Sequence, residues 1–177
     1  KLKKGQKILI HGGAGGIGSI AIQVAKAVGA YVVTTVSGDD KDFVKGLGAD
    51  DVIDYKRSFS SNKTEDFADK VRGFDAVFDT AGGETTNKSF GVVKGGGVVV
   101  WMAGEPDLEI AKKFDVVAIA QNTEGNADRL NRLCELVENG KVKPQVDRVF
   151  VLDQAKEAFD YQEKSHPRGK VVLNTTD

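Results

Sequence analysis

The chain has little of what disulfide-built, metal-built or membrane-spanning proteins need. Its 177 residues include one cysteine, two histidines, one tryptophan and three prolines. The single Cys134 excludes an internal disulfide and fits a reducing compartment, so the expected location is the cytoplasm. His11, His166 and Cys134 stand far apart without ligand spacing, and no zinc site is expected in this chain. No apolar run approaches the roughly 20 residues that span a bilayer, and no secretory leader pattern is present. Lysine plus arginine (25) almost balance aspartate plus glutamate (26), for a net charge of −1. That balance gives no reason to expect nucleic acid or an anionic membrane as a partner.

Glycine is plentiful, at 21 residues, and it clusters. Residues 7–19 read KILIHGGAGGIGS: a short apolar run, a glycine cluster, then a helical pattern. Gly13, Gly15 and Gly18 have the G-x-G-x-x-G spacing of a dinucleotide fingerprint. In that reading Gly13 permits the tight turn off the strand, Gly15 lets the backbone approach a pyrophosphate, and Gly18 lets helix pack close to strand. The helix start would then aim free N–H groups and a favourable dipole at the phosphates. The flanking pattern supports this. Ile8, Leu9 and Ile10 supply a buried strand, and Ile17, Ile20, Ala21, Val24, Ala25 and Val28 recur at helical spacing. Gly29 stops the helix and 31–36 reads as the next strand. The bland alternative is another doubly wound sheet with an incidental glycine loop.

Strands and helices then alternate along the chain. Helices are expected at 41–47, 64–70, 85–93, 107–113 and 126–139, and strands at 51–55, 74–79, 98–102 and 116–120. A polar loop is expected over 57–63, and Gly95, Gly96 and Gly97 read as a turn. The pattern predicts an α/β Rossmann fold: a doubly wound parallel sheet of about six strands with helices on both faces. A strand-helix-strand tail follows at 146–151, 153–164 and 170–173, which divides the chain into 1–145 and 146–177. Ligands of such sheets bind beyond the carboxyl ends of the strands. The loops expected there are 12–18, 37–41, 80–83 and 103–105, all rich in small residues.

Selection of NAD usually rests on an acid at the tip of the second strand. Here that strand ends Thr34-Thr35-Val36-Ser37-Gly38, without one. Ser37, Lys41 and Tyr55 would suit a 2′-phosphate, which favours NADP(H) over NAD(H). Asp39 and Asp40 complicate the choice: either could turn inward and serve NAD, although both also suit a helix N-terminus. A short-chain dehydrogenase would need a tyrosine with a lysine four residues on. Tyr31, Tyr55 and Tyr161 are followed at that offset by Thr35, Phe59 and Ser165. Neither a G-x-S-x-G elbow nor a Walker lysine is present. Cys134 shares an apolar helical face with Leu130, Leu133 and Val137 and is expected to be buried. His11 reads as a hydrogen-bonded structural residue, His166 as exposed, and Trp101 as core.

Taken in order, HGGAGGIGSIAIQVAKAVGA, LGADDVIDY, FDAVFDTAGG, GGGVVVWMAG, ENGKVKP and HPRGKVVL resemble the medium-chain dehydrogenase/reductase superfamily. The nearest branch is the zinc-independent, NADPH-dependent, quinone oxidoreductase-like one, and the resemblance covers essentially the whole chain. It implies a cofactor site of Gly13, Ala14, Gly15, Gly16, Ile17, Gly18, Ser37, Lys41, Tyr55, Thr80, Ala103 and Gly104. Gly15, Gly16 and Ile17 match the pyrophosphate turn, Ser37, Lys41 and Tyr55 the 2′-phosphate grip, and Thr80 and Gly104 the route to the nicotinamide. Members of the family carry a GroES-like catalytic domain ahead of this segment. The resemblance therefore implies a piece of a longer protein, with no catalytic residue of its own and a tail whose apolar face lacks its usual cover. It also implies reduction of quinones, enones or alkenals, and a homodimer through the edge strand from Val116 to Ala120. The alternatives are a non-catalytic NADP(H)-binding module and the cofactor half of a zinc-dependent alcohol dehydrogenase.

Overall fold

In a computed structural model that describes residues 1–56 and 67–176, strand residues sort alternately onto two faces of one sheet. In β1 (Lys7–His11), Ile8 and Ile10 join one core while Leu9 joins the other. Val32 and Val33 divide in the same way in β2 (Tyr31–Val36). This period of two is what a strand buried on both sides requires. α1 (Gly18–Val28) and α2 (Lys41–Gly46) close the first core with Ile22, Ala25 and Val44. α3 (Phe67–Lys70), α4 (Glu84–Phe90) and α5 (Leu108–Lys113) close the second with Phe67, Phe90 and Ala111. Ile22 is fully buried, and such a side chain contributes roughly 1.5–3 kcal/mol. α1 ends where expected: Gly29 takes φ 86° and its N–H meets the carbonyls of Ala25 and Lys26.

β3 (Asp51–Asp54), β4 (Phe74–Asp79), β5 (Val93–Trp101) and β6 (Val117–Ala120) complete a six-stranded sheet in the order β3-β2-β1-β4-β5-β6. Every pairing in it is parallel. The strand order reverses between β1 and β4, and this is where doubly wound sheets bind ligands. β6 is an edge, with Val117 and Ile119 exposed.

Two expectations fail. Gly95, Gly96 and Gly97 do not form a turn but lie within β5, where the register jumps from Phe74↔Val93 to Ala76↔Val98. The extra residues form a bulge that needs glycine. A Cβ on Gly97 would sit 2.4 Å from Val93 Cγ1 and 2.9 Å from the Asp75 carbonyl oxygen. Cys134 is exposed, not buried. It lies on α6 (Ala127–Glu138), none of whose residues is buried among the described residues. The apolar face of α6 exists as read, with Leu130 61 % exposed, but no part of the described chain covers it. Trp101 is buried and His166 exposed, as read. The expected loop 57–63 and the first residues of the helix expected at 64–70 lie outside the described residues.

The tail forms its own parallel pair, β7 (Val146–Val151) and β8 (Lys170–Asn174), with α7 (Ala155–Lys164) between them. It docks on the glycine loop. Gly169 N–H donates to the Ala14 carbonyl at 2.9 Å. Just ahead of it, the Gln23 amide brackets Lys143, donating to its carbonyl at 3.0 Å and accepting its N–H at 2.7 Å. Much of the apolar surface of the tail stays open, with Phe159 74 % exposed. Among the described residues no helix is long and apolar enough to cross a membrane.

Candidate functional site

At the reversal point, β1 ends at His11 and the chain turns at Gly12, whose φ is +72°. A Cβ there would lie 2.7 Å from Thr80 Oγ1, so the turn needs glycine twice over. The left-handed turn thus belongs to Gly12 and not to Gly13 as the spacing suggested. Gly13 is glycine because a Cβ would reach within 2.1 Å of Thr34 Oγ1. Gly18 serves close packing as read: its Cβ would fall 2.2 Å from the Gly12 carbonyl oxygen. Gly16 is crowded by the tail, 2.9 Å from the Gly169 carbonyl oxygen. Gly15 is different. Its nearest neighbour, the Gly12 carbonyl oxygen at 3.5 Å, is at ordinary contact distance, so no neighbour among the described residues forbids a side chain there.

Ser19 N–H bonds the Gly15 carbonyl and Ala21 N–H bonds that of Ile17. The first-turn amides of Ile17 and Gly18 are the donors that any helix start leaves open. The Ser19 hydroxyl, in the same turn, is buried without a partner.

The glycine loop borders a cleft of about 320 Å³. Its floor is Gly12, Ala14, Gly15 and Gly16, with Thr80 and Ala81 from the end of β4. One wall holds Val36, Ser37, Asp40 and Tyr55; the other comes from the tail, through Gln162, His166, Pro167 and Gly169. His166 takes φ 49°, a left-handed conformation uncommon outside glycine, at this wall. The cleft therefore gathers Ala14, Gly15, Gly16, Ser37, Tyr55 and Thr80 from the expected site. Gly13 and Gly18 are buried behind it, and Ile17 and Lys41 are exposed outside the lining. Gly104 packs on the loop after β4, where a Cβ would lie 3.0 Å from Gly83 N; Ala103 lies against Gly82 in the same place.

Three polar residues fix the shape of the cleft. His11 is buried, with Nδ1 3.0 Å from Thr35 Oγ1 and Nε2 3.0 Å from Ser89 Oγ. Ser89 Oγ donates to the Thr85 carbonyl, so it accepts from His11, which assigns the ring proton to Nε2. This is the structural histidine that was expected. Asp79 was missed. It is fully buried at the end of β4, where Oδ1 accepts the N–H groups of Ala81 (2.8 Å) and Gly82 (3.1 Å). Its Oδ2 accepts the Thr86 hydroxyl at 2.6 Å. An acid at a strand end followed by Thr-Ala-Gly-Gly was the available signal. Arg168 was also missed as a site residue. Its Nε reaches Asp40 Oδ1 at 2.7 Å across 128 residues of sequence, and no local pattern foretells that pair. Within the tail, Asp147 holds the turn, and its hydrogen bond with the Tyr161 hydroxyl raises the tyrosine above its ordinary value.

The family model described as zinc-binding dehydrogenase matches residues 47–173. The chain belongs to this family, within the medium-chain dehydrogenase/reductase superfamily. It is 38 % identical over 173 residues to the NADPH-dependent alkenal/one oxidoreductase, chloroplastic, of Arabidopsis thaliana, covering 96 % of this chain and 40 % of that protein. It is 32 % identical over 195 residues to the NAD(P)H oxidoreductase RTN4IP1, mitochondrial, of Mus musculus, covering 97 % and 48 %. The quinone oxidoreductase of Coxiella burnetii superposes with a TM-score of 0.89 at 34 % identity, covering 99 % of this chain and 54 % of that one. The chain thus spans about half the length of the curated relatives it matches. Two of these names place their proteins in organelles, so they do not support the cytoplasmic expectation. Among the described residues no group of three or more His, Cys, Asp or Glu side chains is placed to hold a metal ion.

Proposed function

We propose that this chain is the cofactor-holding half of an NADPH-dependent oxidoreductase that reduces quinones, enones or related carbonyl compounds. The observation that carries the reading is Gly15: a glycine on the cleft floor, next to a helix start, in a position where no neighbour among the described residues forbids a side chain. An approaching diphosphate supplies the missing reason. The loop from Gly15 to Ile17 would lie against it, with the Gly15 N–H kept on the Gly12 carbonyl and the open first-turn amides of Ile17 and Gly18 as donors; Ser37 and Tyr55 would flank the adenosine ribose with Lys41 at the rim, and Thr80, Ala103 and Gly104 would border the path to the nicotinamide. The bound cofactor supplies hydride, and the protein supplies position and electrostatics. Asp79 does so indirectly, by holding the loop of Ala81 and Gly82 in place.

The exposed edge of β6 belongs to the same reading, as the line along which a second copy would pair. A second reading is an NADP(H)-binding module without turnover. Calorimetric titration with NADPH and NADH, followed by NADPH oxidation with a panel of quinones and enones, separates the readings. NADPH should bind more tightly than NADH. Binding without turnover supports the module, and no binding of either nucleotide overturns both.

A further inference from the structure

Asp40 places a carboxylate on the cleft wall beside Ser37. An unpaired carboxylate at the end of the second strand suits a ribose 2′-hydroxyl and repels a 2′-phosphate. This carboxylate is paired twice. Its Oδ2 accepts the Ser37 hydroxyl at 2.8 Å, and its Oδ1 meets Arg168 Nε at 2.7 Å. A terminal nitrogen of Arg168 also donates to the Asp39 carbonyl at 2.7 Å, and the guanidinium lies 5.8 Å from the centre of the Phe43 ring. The backbone of Arg168 is held independently, because its N–H donates to Asp147 Oδ1 at 3.1 Å. The Arg168 side chain is 47 % exposed and that of Asp40 18 %, so the pair sits at the cleft rim and not in the core.

We propose that Arg168 is a specificity-determining positioning residue: by neutralising Asp40 it converts the ribose end of the cleft from one suited to a 2′-hydroxyl into one that accepts a 2′-phosphate. This deepens the dinucleotide reading above and rests on it. The tail then sets the choice between the two nucleotides as well as roofing the cleft.

The test is calorimetry of the full chain with two probes, adenosine 2′,5′-bisphosphate and 5′-AMP. The measured quantity is the ratio of their dissociation constants. Arg168→Gln should cut the preference for the bisphosphate about tenfold, the scale expected of one uncompensated charge at a solvated wall. Affinity for 5′-AMP should stay within about twofold of wild type, a change worth under half a kcal/mol. Arg168→Lys should restore part of the preference. Asp40→Asn should raise it, and adding Asp40→Asn to Arg168→Gln should bring the ratio back towards wild type. A merely structural role would weaken both probes equally. Equal losses, or an unmoved ratio, overturn the inference, as does a wild type that binds 5′-AMP alone. A wild type that binds neither probe overturns the dinucleotide reading together with it.

Discussion

Two glycines of one loop should fail in opposite ways. A methyl on Gly18 would lie 2.2 Å from the Gly12 carbonyl oxygen, 2.7 Å from Gly13 Cα and 2.8 Å from the Gly12 carbonyl carbon. All three are backbone atoms and cannot rotate aside, so α1 must retreat by about 1 Å to recover ordinary contact. That retreat drags Ile22 and Ala25 from their seats in the core. Overpacking of this kind costs about 3 kcal/mol, and the alanine returns about 1 kcal/mol through helix propensity. The net loss of about 2 kcal/mol corresponds to a melting temperature about 4–8 °C lower for a chain of this size. Gly15→Ala meets nothing closer than 3.5 Å, and Gly15 is not in the left-handed region. Its stability should stay within about 0.5 kcal/mol of wild type, or rise slightly as the unfolded chain stiffens. Its methyl would nevertheless stand on the cleft floor, where a diphosphate must reach the amides. Loss of one charge-assisted hydrogen bond lowers NADPH affinity about tenfold or more. Scanning calorimetry and NADPH titration on both variants provide the check. A Gly15→Ala variant that binds NADPH like wild type refutes the assignment of that glycine to a ligand, and a Gly18→Ala variant with an unmoved melting temperature refutes the packing role.

Asp79→Asn should destabilise by about 1 kcal/mol, because the bonds from the Ala81 and Gly82 N–H groups lose their charge assistance and the Thr86 hydroxyl must turn to accept from the amide; a urea midpoint equal to wild type would contradict this. Asp75 carries a pH signature. The Lys7 N–H first, then the Lys94 ammonium, hold its carboxyl below the ordinary 3.8, against the opposing effect of burial. A depressed folded value means that the stabilisation is complete above 3.8 and is lost as pH falls through the lowered value. Asp75→Asn should therefore melt below wild type at neutral pH and converge with it as pH falls below the lowered value, and a gap that does not change with pH would remove the assignment.

The alternation of apolar runs and helical stripes made the sheet legible, because each βα unit writes its period locally. Residues whose roles depend on distant neighbours were not legible. Three glycines in a row read as a turn, yet whether they turn the chain or bulge a strand is decided by the Asp75 carbonyl on β4. Periodicity located the apolar face of α6 but could not say what covers it, so Cys134 was misplaced. The adjacent Gly12 and Gly13 are indistinguishable by spacing; the proximity of Thr80 to one and Thr34 to the other gives them different tasks. Ser37 and Tyr55 were found because they end strands, where the fold delivers side chains to the cleft. Lys41 lies one turn further on and misses the lining.

The contact between tail and loop changes what half of a relative's length can mean. Residues 1–145 build the sheet and the glycine loop, but the second wall of the cleft is Gln162, His166, Pro167 and Gly169. The two segments meet at the atoms that matter for a ligand. Gly169 N–H takes the Ala14 carbonyl, the Gly169 carbonyl crowds Gly16, and Arg168 holds Asp40. A cut at 145/146 would pass through the cleft and not beside it. It would leave the Ala14 carbonyl without its donor and the Asp40 carboxylate without its cation, with the Ser37 hydroxyl as its remaining side-chain donor. Phe159 and the exposed valines of β7 are not among the residues that line the cleft.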